Sequence, residues 1–184
     1  VVGSGAAAMA MAVLSCVNKG DHVLCIRNPY SWTHALVETY LARFGVTHTF
    51  VDGDHVDNFK ASIRGNTKLI ILESPNSLTY GIQDLAEIAT LAREHNITTI
   101  TDNSYATPIY QQPIKLGIDI VVHSITKYLN GHSDVVAGAI CGSREHINRI
   151  FYNEYMTLGP ALSPHDASLV LRGLRTLPIR MHRI

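Results

Sequence analysis

Apolar runs of strand length alternate with segments of helical period along almost the whole of this sequence, and that alternation restricts the fold more than any other feature. "DHVLCIR" (21–27) reads as a strand, and "SWTHALVETYLARF" (31–44) as a helix whose apolar positions recur every three or four residues. "VTHTFV" (46–51), "TKLIILE" (67–73), "ITTITD" (97–102), "IDIVVH" (118–123) and "VVAGAIC" (135–141) read as further strands. Helices are expected around 55–64, 83–95, 143–153 and 165–175. Strands of near-continuous Val, Ile and Leu are buried on both faces, so the pattern predicts an α/β fold, a mostly parallel sheet with helices on both faces. Such sheets bind ligands beyond the carboxyl ends of their strands.

At 184 residues the chain is long enough for one domain with a substantial core. Fifteen basic residues balance fifteen acidic ones, so there is no broad attraction to nucleic acid or to an anionic membrane, and neither partner is expected. No apolar stretch is long enough to span a bilayer, and "VVGSGAAAMAMAVL" lacks the basic region of a signal peptide. Cys16, Cys25 and Cys141 lie in apolar surroundings with neither disulfide nor zinc spacing and read as buried thiols in a cytoplasmic protein. The ten histidines form no spaced metal set; His123 reads as a packed strand-end residue, and no metal is expected. The chain opens on valines that run straight into "GSGAAAMA" and stops at "RTLPIRMHRI", so a piece of a longer protein is expected.

At the carboxyl ends of the expected strands stand Glu73, Asp102 and the pair His123-Ser124, with Lys127 in the loop beyond. Taken singly, Asp102 reads as a helix cap, Tyr30 as turn packing after Pro29, and Lys127 as a solvated charge. Together they match the needs of pyridoxal phosphate: a lysine for its aldehyde, a carboxylate for its ring nitrogen, a ring to stack on and donors for its phosphate. Asp102 supplies the carboxylate, Tyr30 the ring, and Ser124 and Thr126 hydroxyl donors. At the amino terminus, Gly3, Gly5 and Ala8 match a dinucleotide fingerprint, but no preceding strand is visible, and the strand that follows it, 21–27, ends on Ile26-Arg27 rather than on an acidic residue. The simpler reading is that Ser4, Gly5 and Ala6 open a helix whose free backbone N–H groups receive a phosphate.

"DIVVHSITKYLNGHSDVVAG" resembles the cofactor-lysine segment of the Cys/Met-metabolism family of pyridoxal-phosphate enzymes. This trans-sulfuration group includes cystathionine γ-synthase, cystathionine β- and γ-lyases and methionine γ-lyase. "ITDNSYATPIYQQPIKLG" is similar to the family's aspartate segment, and "SPHDASLVLRGLRTLPIRM" to its region beyond the lysine. The resemblance implies an aspartate-aminotransferase-like fold (fold type I), with residues 1–184 as its pyridoxal-phosphate-binding large domain. It further implies that Lys127 forms the internal aldimine, Asp102 pairs with the pyridine nitrogen, and Tyr30 stacks on the ring and assists proton transfer. Gly5 and Ala6 would bind phosphate through N–H groups, with Ser124 and Thr126 adding hydroxyls. A homodimer or homotetramer, with sites completed across an interface, is implied as well.

The implied activity is elimination at a carbon–sulfur bond of a sulfur amino acid, or γ-replacement, with the freed Lys127 amine abstracting the α-proton. Burial and a positive neighbourhood would favour the neutral amine that this step requires. Three departures from the family bear on it. Ala6 replaces a common methionine, and a backbone donor survives that change. Ser77 stands at a family asparagine in "ESPNSLTYG", with Asn76 as a compensating neighbour. Trp32 occupies the place of a small cysteine in methionine γ-lyases, which weakens that activity, or else serves as helix packing. Arg172 and Arg175 precede the region that carries the family's substrate-carboxylate arginine and do not take its role. The alternatives are a truncated cofactor-binding core without turnover and a dinucleotide-binding domain.

Overall fold

The computed structural model describes residues 1–184. In chain order its elements are α1 (Gly5–Leu14), β1 (His22–Ile26), α2 (Ser31–Ala35), β2 (Thr47–Val51), α3 (Val56–Ser62), β3 (Thr67–Glu73) and α4 (Leu85–Glu94). There follow β4 (Thr98–Asp102), α5 (Thr107–Tyr110), β5 (Ile120–Ser124), β6 (Gly138–Gly142), α6 (Arg144–Ile150), α7 (Met156–Leu158) and α8 (Pro164–Arg183). The six strands make one sheet in the order β2-β1-β3-β4-β5-β6. Every neighbouring pair is parallel except β5 and β6.

Side chains alternate along a strand, and here both faces are covered. β1 sends Val23 and Cys25 into one core and Leu24 and Ile26 into the other; β3 divides Leu69 and Ile71 from Ile70 and Leu72 in the same way. Met11 and Val13 of α1 fill the first core, whereas Phe59 of α3 and Leu85 and Ile88 of α4 fill the second. Such a strand needs apolar residues at every position, which is why it reads as a continuous run. α1 is apolar around its circumference, and Ala8, Met9, Met11, Ala12 and Val13 are all buried.

The structure departs from the expected elements at several places. Residues 31–44 are helical throughout but not uniform: α2 passes into a π-helical turn at Leu36–Tyr40 and a 3₁₀ turn at Leu41–Phe44. α5 and a 3₁₀ turn at Pro113–Leu116 were not foreseen. α8 does not end at 175 but runs through Pro178 to Arg183. Tertiary packing outweighs the break, because Val170, Leu177 and Met181 of α8 share a third core with Ile125, Leu129 and Val135.

The expectation of three buried thiols holds only for Cys25. Cys16 is half-buried, and Cys141 is exposed because it lies on β6, the sheet's antiparallel edge strand. No helix is long and apolar enough to cross a membrane.

Candidate active site

β2 and β3 lie on opposite sides of β1, so the connections leaving β1 and β3 diverge and open a crevice at their carboxyl ends. Tyr30 follows β1, Glu73 ends β3, Asp102 ends β4, Ser124 ends β5, and Lys127 stands just beyond. With the amino terminus of α1 these residues line one open cleft of about 1240 Å³.

The α1 end of the cleft is built to receive an anion. Ser4 caps the helix, its Oγ accepting the Ala7 N–H at 3.0 Å, while its carbonyl accepts the Ala8 N–H at 3.1 Å. The N–H groups of Gly5 and Ala6 have no partner in the chain and carry the positive end of the helix dipole. Gly5 packs directly on Ser124: a Cβ at residue 5 would stand 2.7 Å from Ser124 Cβ and Oγ. Ser124 Oγ accepts from Lys127 Nζ at 3.3 Å, and its own proton has no acceptor. Thr126 differs, since its Oγ donates to Ala137 O at 3.2 Å and accepts the Ala137 N–H at 3.0 Å.

Asp102 lies deeper and is half-buried. One carboxylate oxygen accepts the Ser104 N–H at 2.8 Å, and the other accepts no hydrogen bond from the chain. Burial pushes its carboxyl up to about 6; the Ser104 hydrogen bonds oppose that rise, the neighbouring Glu73 charge adds to it, and Lys127 opposes it. Ser104 also ties this strand to the next, because its Oγ accepts the Ser124 N–H at 2.6 Å. Glu73, paired in register with Asp102, accepts the N–H of Tyr30 on one oxygen and that of Ser77 on the other, each at 2.7 Å.

Lys127 Nζ lies 5.8 Å from the centre of the Tyr30 ring. The expected burial of Lys127 is not provided by this chain, where the residue is exposed at the cleft mouth. Its loop is nevertheless held firmly from behind. The Arg180 guanidinium on α8 donates to Tyr128 O at 2.7 Å and to Gly173 O at 2.8 Å, and Arg172 bridges to Asp134, which also receives Asn130 Nδ2 at 2.9 Å.

All seven residues foreseen for the site, Gly5, Ala6, Tyr30, Asp102, Ser124, Thr126 and Lys127, line the same cleft. Other expectations fail locally. Asn76 does not compensate for Ser77, because its side-chain oxygen accepts the Leu78 and Thr79 N–H groups, each at 3.0 Å, and its amide donates to Asn28 O at 2.9 Å. Trp32 is not helix packing; 66% exposed, it forms part of the cleft wall. His123, by contrast, is the packed strand-end residue expected: it is buried, its imidazole lowered to about 4 by desolvation. Sequence reasoning missed Glu73 as a double acceptor, Ser104 and Arg180. Only Ser104 carried a local signal, the Asp-x-Ser spacing of an Asx turn in "TDNSY".

A lysine amine, a partly desolvated carboxyl, an aromatic face and a cluster of anion donors in one crevice make a site suited to a phosphorylated, ring-bearing aldehyde. The donor set fits such a group, because two N–H groups and one hydroxyl proton are left without partners at the phosphate end.

The model of the family described as Cys/Met metabolism PLP-dependent enzyme matches residues 1–184. The chain belongs to that family, whose cofactor is pyridoxal 5'-phosphate. It is 42% identical over 180 residues to cystathionine beta-lyase MetC of Bacillus subtilis (strain 168), covering 98% of this chain and 46% of that protein. To L-methionine gamma-lyase of Treponema denticola it is 41% identical over 183 residues, again 98% of this chain and 46% of the relative. The crystal structure of metB from Corynebacterium glutamicum superposes with a TM-score of 0.93 at 38% identity, covering 97% of this chain and 46% of that one. Cystathionine gamma-lyase from Lactobacillus plantarum, complexed with L-serine, gives 0.92 at 37% identity with the same coverage. The chain thus spans about half the length of these relatives.

Proposed function

We propose that residues 1–184 form the cofactor-binding large domain of a pyridoxal-phosphate-dependent trans-sulfuration enzyme that eliminates a thiol from a sulfur amino acid, with γ-replacement as the alternative reaction. The observation that carries this reading is the convergence of Lys127, Asp102, Tyr30 and the unpaired N–H groups of Gly5 and Ala6 on one cleft. The chemistry the cofactor supplies when bound is an electron sink for negative charge developing beside an amino group.

The chain's residues divide the remaining work. Gly5 and Ala6 N–H and Ser124 Oγ would donate to the phosphate, and the free Asp102 oxygen would hold the ring nitrogen and favour its protonated form. Tyr30 would cover the ring face. Lys127 Nζ would hold the cofactor's aldehyde carbon and would serve as the general base for a substrate's α-proton, with the Tyr30 hydroxyl assisting proton transfer nearby. A homodimer or homotetramer working in the cytoplasm belongs to the same reading.

A second reading is that residues 1–184 by themselves bind the cofactor without turnover; on this chain alone Lys127 is exposed at the cleft mouth. Borohydride reduction of the cofactor-loaded full-length protein, followed by peptide mapping, tests the site. The expected adduct maps to Lys127 and is lost in Lys127→Ala; an adduct elsewhere sinks the assignment. Supplying a thioether amino acid and measuring thiol and 2-oxo acid separates elimination from replacement, and the same assay on the 184-residue chain separates enzyme from inactive core.

A further inference from the structure

We infer that Glu73 is a positioning residue that holds Tyr30 over Lys127 by tying the backbones of two loops to a single carboxylate. It rests on the reading of Tyr30 given above. Glu73 is 6% exposed, and each of its oxygens accepts one backbone N–H at 2.7 Å, from Tyr30 in the loop after β1 and from Ser77 in the loop after β3. Neither N–H has another partner in the chain. The carboxylate therefore satisfies two donors at the crevice floor through charge-assisted bonds, which are stronger than neutral ones.

The arrangement asks for glutamate specifically. Glutamine offers one acceptor oxygen, and its amide nitrogen would face the second N–H donor to donor. Aspartate keeps the charge but falls short by a methylene. Asn76 Nδ2, donating to Asn28 O at 2.9 Å, links the same two loops farther out, so the loops stay joined when Glu73 is replaced and what is lost is the orientation of Tyr30. Because both Glu73 oxygens are committed, Asp102, its partner in register, is the carboxylate left to meet a ligand.

The experiment uses the full-length protein as wild type, Glu73→Gln, Tyr30→Phe and the double variant. In the cofactor-free proteins, amide exchange read by mass spectrometry is expected to quicken in the peptides carrying Tyr30 and Ser77 on Glu73→Gln. In the loaded proteins kcat/KM is expected to fall about tenfold on Glu73→Gln in the wild-type background and less than about twofold in Tyr30→Phe, as for coupled neighbours. Where Glu73→Gln does not fold, Glu73→Asp is read in the same way. Unchanged exchange in both peptides, or equal activity losses in both backgrounds, overturns the inference while leaving the site intact. Full activity of Tyr30→Phe overturns the role of Tyr30 and this inference with it.

Discussion

Gly173 on α8 meets the backbone of Asn130 more closely than any side chain allows: a Cβ at residue 173 would stand 2.2 Å from Asn130 O. Asn130 closes the loop that carries Lys127, so this contact sets how far α8 can press on the site from behind. Gly173→Ala is expected to lower stability by about 1–3 kcal/mol, the usual result of overpacking, and to loosen that loop. Gly65, with nothing within 4 Å, provides the control, and thermal melts of both alanine variants of the full-length protein check the contrast.

Gly5→Ala places a methyl group against Ser124, 2.7 Å from both Cβ and Oγ. Either the amino terminus of α1 retreats from β5 or Ser124 turns aside, and both responses pull apart the two halves of the anion site. Cofactor affinity is expected to fall about tenfold, a loss of about 1.4 kcal/mol, in a fluorescence titration of the cofactor-free protein.

The two hydroxyls two residues apart should behave differently. Thr126→Val leaves the N–H of Ala137, a fully buried residue, without its acceptor and is expected to destabilise the cofactor-free protein by about 1–3 kcal/mol. Ser124→Ala removes a hydroxyl whose proton has no partner in the chain, so it should leave the melting temperature nearly unchanged and weaken cofactor binding. Melting curves and cofactor titrations of the two variants check this.

Asp102 gives stability a definite pH dependence. Its carboxyl stands at about 6 in the folded protein against 3.8 as reference, so between those values the folded state binds more protons than the unfolded one. Asp102 therefore withdraws stability as pH rises from about 4 to about 6 and withdraws no more above that. The cofactor-free Asp102→Asn protein is expected to gain on wild type across this window, by on the order of 3 kcal/mol at neutral pH, and to gain nothing below it. Denaturant unfolding of both proteins at a series of pH values reads the difference.

Much of this was legible from residue order alone. β1, β3 and β5 showed themselves as apolar runs because each is buried on both faces, and Asp102 and Lys127 drew attention because they end or follow such runs. The helix expected around 165–175 runs on through Pro178 to Arg183, since local periodicity says nothing of the core that Leu177 and Met181 join on either side of that proline. Cys141 misled, its apolar neighbours giving no hint that β6 would be an edge strand.

Sequence by itself determined where the strands and the longer helices start and which reactive groups stand at the strand ends, because periodicity and turn chemistry are local properties. Only the tertiary structure decided which polar groups remain free for a ligand. Ser124 and Thr126 have the same chemistry two residues apart, yet Ala137, eleven residues beyond Thr126, satisfies one hydroxyl and leaves the other open. Glu73 and Asp102 are both carboxylates at strand ends, and loops distant in the chain saturate the first and spare half of the second. Hydrogen-bond saturation depends on neighbours brought together by folding, and the order of residues does not reveal it.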